Sequence, residues 1–239
     1  MATGGNGEGF IPDIPGLKSF PGEVIHSSYY KLGKLYINKK VLVIGSGNSG
    51  MEIALDLSNY GAQTSIVVRS PFHVMTKEWI WLGMVLVKYL PIRFVDSLLL
   101  MLSKFKYGDL SKYGIVRPKL GPLSLKAATG MSAVIDVGTI IKTKSGEIQV
   151  LKDPLHIRQD EVTFSDGKLY QFDAIILATG YKTTIKTWLK VVDEMTEVPS
   201  LDEGLNLILE LLAVFDVATE VLVKFAEFAF ISLAASFIF

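Results

Sequence analysis

An apolar run, a G-x-G-x-x-G loop and a helix-patterned segment follow one another over residues 41–57, and this succession constrains the fold most tightly. Residues 41–44 are all apolar, as a strand buried on both faces requires. Gly45 permits a tight turn, Gly47 lets the backbone approach a pyrophosphate, and Gly50 allows the new helix to pack closely on its strand. The N–H groups that open the helix have no intrahelical partners and aim at phosphate oxygens. Ser46, Asn48 and Ser49 offer further donors in the same loop. The glycine pattern alone is a weak signal, and its strand and helix flanks make it specific. A Rossmann-type unit that binds a dinucleotide is the expectation.

The following strand selects the dinucleotide. After Gly61 comes a second apolar run that ends in Arg69 and Ser70. The end of this strand lies beside the adenosine ribose, where an acid holds the 2′-hydroxyl of NAD and an Arg accommodates the 2′-phosphate of NADP. Here the acid is missing, Arg69 takes its place and Ser70 is a second donor. The expected cofactor is NADP(H).

Composition removes other classes. Lys and Arg number 24, and so do Asp and Glu, so the net charge is zero. No basic stripe calls for a nucleic acid partner. Without cysteine there is no disulfide framework, thiolate nucleophile or cysteine metal site. His26, His73 and His156 are scattered without ligand spacing, so no metal is expected. The first residues have neither a basic nor an apolar signal region. A cytoplasmic protein is expected, with the endoplasmic reticulum membrane surface as the alternative.

Residues 1–36 read as an irregular linker, broken by glycine and proline. Residues 37–176 read as the NADP-binding domain, with a helical insertion at about 78–130. Residues 78–107 are strongly apolar, but Lys88, Pro91, Arg93 and Asp96 interrupt them before about 18 residues accumulate. A buried or substrate-lining insertion is expected rather than a membrane span. Residues 140–150 read as a hairpin around Ser145 and Gly146, and residues 162–170 as another around Asp166 and Gly167. Residues 172–181 form an apolar run ending at Ala178, Thr179 and Gly180, the place where parallel strands deliver ligand contacts. Ala2, Thr3 and Gly4 repeat that ending without a strand before them.

Ahead of the glycine loop, Phe20, Gly22, His26, Tyr30 and Lys31 match the spacing F-x-G-x-x-x-H-x-x-x-[YF]-[KR]. This segment resembles the signature of flavin-containing monooxygenases, and the Ala178–Thr179–Gly180–Tyr181 segment resembles their second hallmark. Arg117, Pro118, Lys119, Thr129, Gly130 and the stretch from Ile135 to Thr139 look like the plant YUCCA-type branch. The resemblance covers about residues 1–190. It implies an NADPH- and FAD-dependent monooxygenase that converts indole-3-pyruvate to indole-3-acetate, in auxin biosynthesis. NADPH reduces the flavin, the flavin activates O₂, and bound NADP⁺ shields the reacting centre from water. By the same resemblance, residues 45–50 hold the pyrophosphate and Arg69 the 2′-phosphate. Thr179, Gly180 and Tyr181 lie where the NADP and flavin domains join, so that residues 177–190 return to the FAD domain. No side chain is assigned a catalytic role, because the flavin carries the chemistry.

The family pattern begins with an FAD-binding strand–glycine loop–helix unit that this sequence does not carry. The expectation is a chain truncated at both ends of the FAD domain, with only remnants of that second dinucleotide-binding fold. The alternative reading is a catalytically inactive NADP-binding fragment. A short-chain dehydrogenase is disfavoured, since Tyr30 and Lys34 precede the glycine loop instead of following it. Residues 191–239 leave the family pattern and read as a helical tail. There Asp216, Glu220, Lys224 and Glu227 share one face, and Val214, Val221, Phe225 and Phe228 the other. The leading reading of that tail is non-homologous sequence with no selected role, and weak membrane association through residues 205–239 is the alternative.

Overall fold

The computed structural model describes residues 8–182. The chain runs through strands β1 (Glu8–Gly9), β2 (Glu23–His26) and β3 (Lys40–Ile44), helix α1 (Asn48–Asn59) and strand β4 (Gln63–Val67). A mostly helical stretch follows: β5 (Val74–Met75), α2 (Lys77–Leu86), α3 (Ile92–Tyr107), α4 (Pro122–Thr129) and β6 (Val134–Ile135). Helix α5 (Thr139–Ser145) leads into β7 (Ile148–Leu151), β8 (Pro154–Arg158), β9 (Glu161–Phe164) and β10 (Leu169–Gln171). The chain returns through β11 (Ala174–Leu177) and β12 (Tyr181–Lys182). The Ala2–Thr3–Gly4 echo and the tail at 191–239 lie outside the described residues.

Five strands form one parallel sheet in the order β2-β11-β3-β4-β7. Both faces are covered, which is why the central strands β11 and, after Lys40, β3 are continuously apolar rather than alternating. On one face Val41, Val43, Ile66 and Ile176 pack against Met51, Ala54 and Leu57 of α1 and Ile140 of α5. On the other, Leu42, Ile44, Ile175 and Leu177 meet Val162 and Phe164 of the antiparallel β8-β9-β10 sheet and Phe172 in the connection to β11. The β9–β10 turn contains Gly167 at φ 80°, as the Asp-Gly signal requires.

The hairpin expected at residues 140–150 is not formed. Its first half is α5, and its second half is β7, which runs parallel to β4. The Asp136 carboxylate accepts from the N–H groups of Gly138 and Ile140, which satisfies the opening of the helix. Thr139, Ile140 and Thr143 are buried with helical rather than alternate spacing. Gly146 at φ 83° is therefore a helix C-cap, not the centre of a hairpin turn.

The insertion is only half buried. Val95 and Leu99 of α3 pack on Met75, Trp79 and Leu123. The buried Asp96 carboxylate accepts from the N–H groups of Leu123 and Ser124 at 2.8 and 3.1 Å and so caps α4 from outside. The opposite side of α3 faces outward, so the insertion is not buried on both sides. No helix among the described residues is long and apolar enough to cross a membrane.

Asp56 ties the segment before the glycine loop to α1. Its carboxylate accepts from the Tyr30 hydroxyl and the Gly33 N–H, each at 2.6 Å. Burial, followed by the bond to this carboxylate, pushes the Tyr30 phenol far above its ordinary range. Asp56→Ala leaves two part-buried donors without their acceptor. It is expected to lower stability by about 2 kcal/mol, read as a fall in the thermal midpoint.

Candidate functional site

The site follows from the strand order. The chain leaves β3 toward β4 on one side, whereas β11 enters on the other side of β3. In open parallel sheets the crevice at such a switch point, outside the carboxyl ends of the strands, takes the ligand. A cavity of about 630 Å³ lies there. Ile44, Gly45, Ser46 and Gly47 line it after β3, Val67, Arg69 and Ser70 after β4, and Ala178, Thr179 and Gly180 after β11. Three sequence-predicted groups that are far apart in the chain thus share one hollow.

The three glycines do different things. Gly45 has φ 117°, and a Cβ there would overlap the Ala178 carbonyl. Gly50 faces inward, where a Cβ would overlap the Gly45 carbonyl oxygen and stand 2.9 Å from its carbon. Gly47 is the opposite case, since a Cβ would meet nothing within 4 Å. That open space adjoins the start of α1, whose N-cap Gly47 supplies no side-chain acceptor. The first N–H groups of this twelve-residue helix therefore keep their donors, and the helix dipole places partial positive charge beside them. Arg69 is exposed on the cavity wall, and among the described residues no carboxylate lies within ion-pair distance of it. The α1 N-terminus, at Gly47, and Arg69 thus bring two positive elements to the wall of the same cavity.

Not every predicted residue lines the cavity. The Asn48 Oδ1 accepts from the Ile135 N–H at 2.9 Å, so this oxygen ties the insertion to the loop. Ser49 is exposed beyond the lining, and Gly50 supports the wall from behind. Tyr181 packs edge-on against His26, with ring centroids 5.0 Å apart. His26 is itself buried: Nδ1 accepts from the Ser28 N–H, which leaves Nε2 to donate to the Gly180 carbonyl at 3.0 Å. Together with the Phe10 N–H bond to Gly180 and the Thr179 hydroxyl bond to the Phe10 carbonyl, this fixes the turn after β11.

Sequence reasoning missed two parts of the lining, Phe10 to Ile14 and the Asp153–Pro154 pair. Asp153 and Pro154 follow β7 as Arg69 and Ser70 follow β4, with Val67 and Leu151 paired in register. Reading residues 148–151 as a third parallel strand would have exposed them. The N-terminal contribution carries no local signal.

The chain matches the Flavin-binding monooxygenase-like (FMO-like) family over residues 4–195. It belongs to that family. Similar FMO-like relatives are the probable indole-3-pyruvate monooxygenase YUCCA10 of Arabidopsis thaliana, 52% identical over 80% of this chain and 50% of that protein, and the indole-3-pyruvate monooxygenase YUCCA6 of the same plant, 48% identical over 79% and 47%. The indole-3-pyruvate monooxygenase YUCCA1 of Oryza sativa subsp. japonica is 45% identical over 80% of this chain and 48% of its own length. The chain spans about half the length of these curated relatives. Among solved structures, an oxidized steroid monooxygenase bound to NADP shares the fold at TM-score 0.62 and 16% identity, over 78% of this chain and 47% of that one. OTEMO in complex with FAD and NADP shares it at TM-score 0.60 and 16% identity, over 83% and 52%.

Proposed function

We propose that this FMO-like chain carries the NADP(H)-binding part of a flavin-dependent monooxygenase acting on indole-3-pyruvate. The observation that carries the reading is the shared cavity at the strand ends, which unites the open face of Gly47, the uncapped start of α1 and Arg69. In it the backbone of residues 45–49 holds the pyrophosphate, helped by the Ser46 hydroxyl. Arg69 holds the 2′-phosphate with Ser70 beside it. Thr179, Gly180 and Tyr181 brace the turn at which the two domains of the family join. Among the described residues one glycine fingerprint of this kind is present and it is assigned to NADP(H), so no residue is assigned to FAD.

The names of the relatives support the substrate. The balanced reaction takes indole-3-pyruvate, O₂, NADPH and a proton to indole-3-acetate, CO₂, NADP⁺ and water. FAD, when bound, supplies the oxygen activation that no side chain can perform. The chain's own part is to orient the nicotinamide and keep water from it.

The test is a titration of the full chain with NADPH and NADH, together with the variant Arg69→Ala. The variant is expected to lose about 2 kcal/mol of NADPH affinity, roughly 30-fold, with NADH affinity nearly unchanged. With this chain's described residues exchanged for their counterparts in a full-length indole-3-pyruvate monooxygenase relative and FAD supplied, NADPH oxidation is expected to yield indole-3-acetate from indole-3-pyruvate. Equal affinity for the two nucleotides in the wild type would overturn the cofactor assignment, and NADPH binding without product would overturn the reaction.

A further inference from the structure

The outward side of the helical insertion carries a continuous row of apolar side chains. Phe94, Leu98, Met101 and Phe105 follow one another at intervals of four, three and four along α3, so they form one stripe. Phe94 and Met101 are each 60% exposed and Phe105 92%, and Tyr89 in the connection from α2 is 78% exposed. Val95 and Leu99 occupy the opposite, buried side. Phe94, Met101 and Phe105 therefore lie outside the core that holds the helix in place, and Leu98 is half-buried between them.

Charge separates the candidates for what covers it. Residues 79–108 contain Lys88, Arg93, Lys104 and Lys106 and one acid, Asp96. Asp96 is buried and spends its oxygens on α4, and the exposed acids Glu78 and Asp109 stand in sequence at the two ends of the hairpin, so between them every exposed formal charge is positive. A second copy meeting this face symmetrically would set cation against cation. A bilayer with anionic headgroups does the reverse: it attracts the rim of Lys and Arg and accepts aromatic and aliphatic side chains at the interface.

We propose that the α2–α3 hairpin is a peripheral membrane-binding surface selective for anionic lipid. Phe94, Met101 and Phe105 enter the headgroup–acyl boundary, Tyr89 lies at headgroup level, and Lys88, Arg93 and Lys104 contact phosphate and carboxylate groups of the lipids. Nothing spans the bilayer in this arrangement.

The test is co-sedimentation of the full chain with phosphatidylcholine vesicles made with and without phosphatidylserine. Two variants are compared with the wild type, Phe94→Ser with Phe105→Ser, and Lys88→Glu with Arg93→Glu. Both pairs lie on exposed positions, and an unchanged thermal midpoint establishes that each variant is folded. Binding is expected only to the phosphatidylserine vesicles, to weaken with added salt, and to fall about tenfold or more in either variant. No binding to the anionic vesicles overturns the proposal. Binding that both variants retain also overturns it, because another part of the chain is then responsible. So does a dimer in light scattering that the phenylalanine variant dissociates, since the face then belongs to a second copy.

Discussion

Gly47→Ala is expected to cost the chain most of its NADPH affinity while leaving its stability almost unchanged. The reason lies in where the added methyl goes. At this position it meets no protein atom within 4 Å, so the core has nothing to rearrange. The backbone there is extended, with φ −73°, and any residue adopts it. As an N-cap, alanine is about 1 kcal/mol worse than a good capping residue, and glycine itself is close to neutral. The same methyl occupies the space through which a pyrophosphate must approach the amides of α1. Every hydrogen bond from those amides to the ligand lengthens together. A loss of about 100-fold, roughly 2.7 kcal/mol, is expected in a nucleotide titration. Calorimetry should place the thermal midpoint within a few degrees of wild type. A variant that bound NADPH as well as the parent would show that the nucleotide does not rest on this loop.

Much of the lining of the strand-end cavity is legible in the sequence because its parts are local. Three glycines with unlike duties sit inside six residues, and Arg69 follows an apolar run that has no other partner than a parallel strand. His26 of the signature segment is a buried, hydrogen-bonded residue that steadies the Gly180 turn. What the sequence concealed depends on long-range placement. Residues 140–150 alternate well enough to pass for a hairpin, and only the Asp136 cap and the burial of Ile140 against α1 decide for a helix. Once that helix was missed, the strand end carrying Asp153 was missed with it. The half-exposed α3 is a second case. Its residues are apolar on two opposite sides, so composition alone does not say which side meets the core. Asp96 decides it, because a carboxylate can be buried there only where the start of α4 supplies donors.

Gly50→Val should show the reverse pattern to Gly47→Ala: loss of the fold first, with loss of binding as its consequence. A Cβ at this position overlaps the Gly45 carbonyl oxygen, stands 2.9 Å from the Gly45 carbon and lies 3.3 Å from the Ala178 side chain. Two of these three atoms are backbone, so no rotamer change relieves the clash. The helix must move away from β3, and that motion opens the layer of Met51, Ala54 and Leu57 against Val41 and Val43. It also pulls the α1 amides out of line with Arg69. Overpacking of this kind costs at least about 3 kcal/mol, which in a chain of this size lowers the thermal midpoint by roughly 6–12 °C. NADPH affinity falls as well, but saturating nucleotide should restore part of the midpoint, because a ligand that binds only the folded state draws the equilibrium toward it. The two variants therefore separate the roles of neighbouring glycines in one loop. If Gly50→Val melted with the wild type, the close approach of α1 to β3 would not exist, and the cavity built on it would be lost with it.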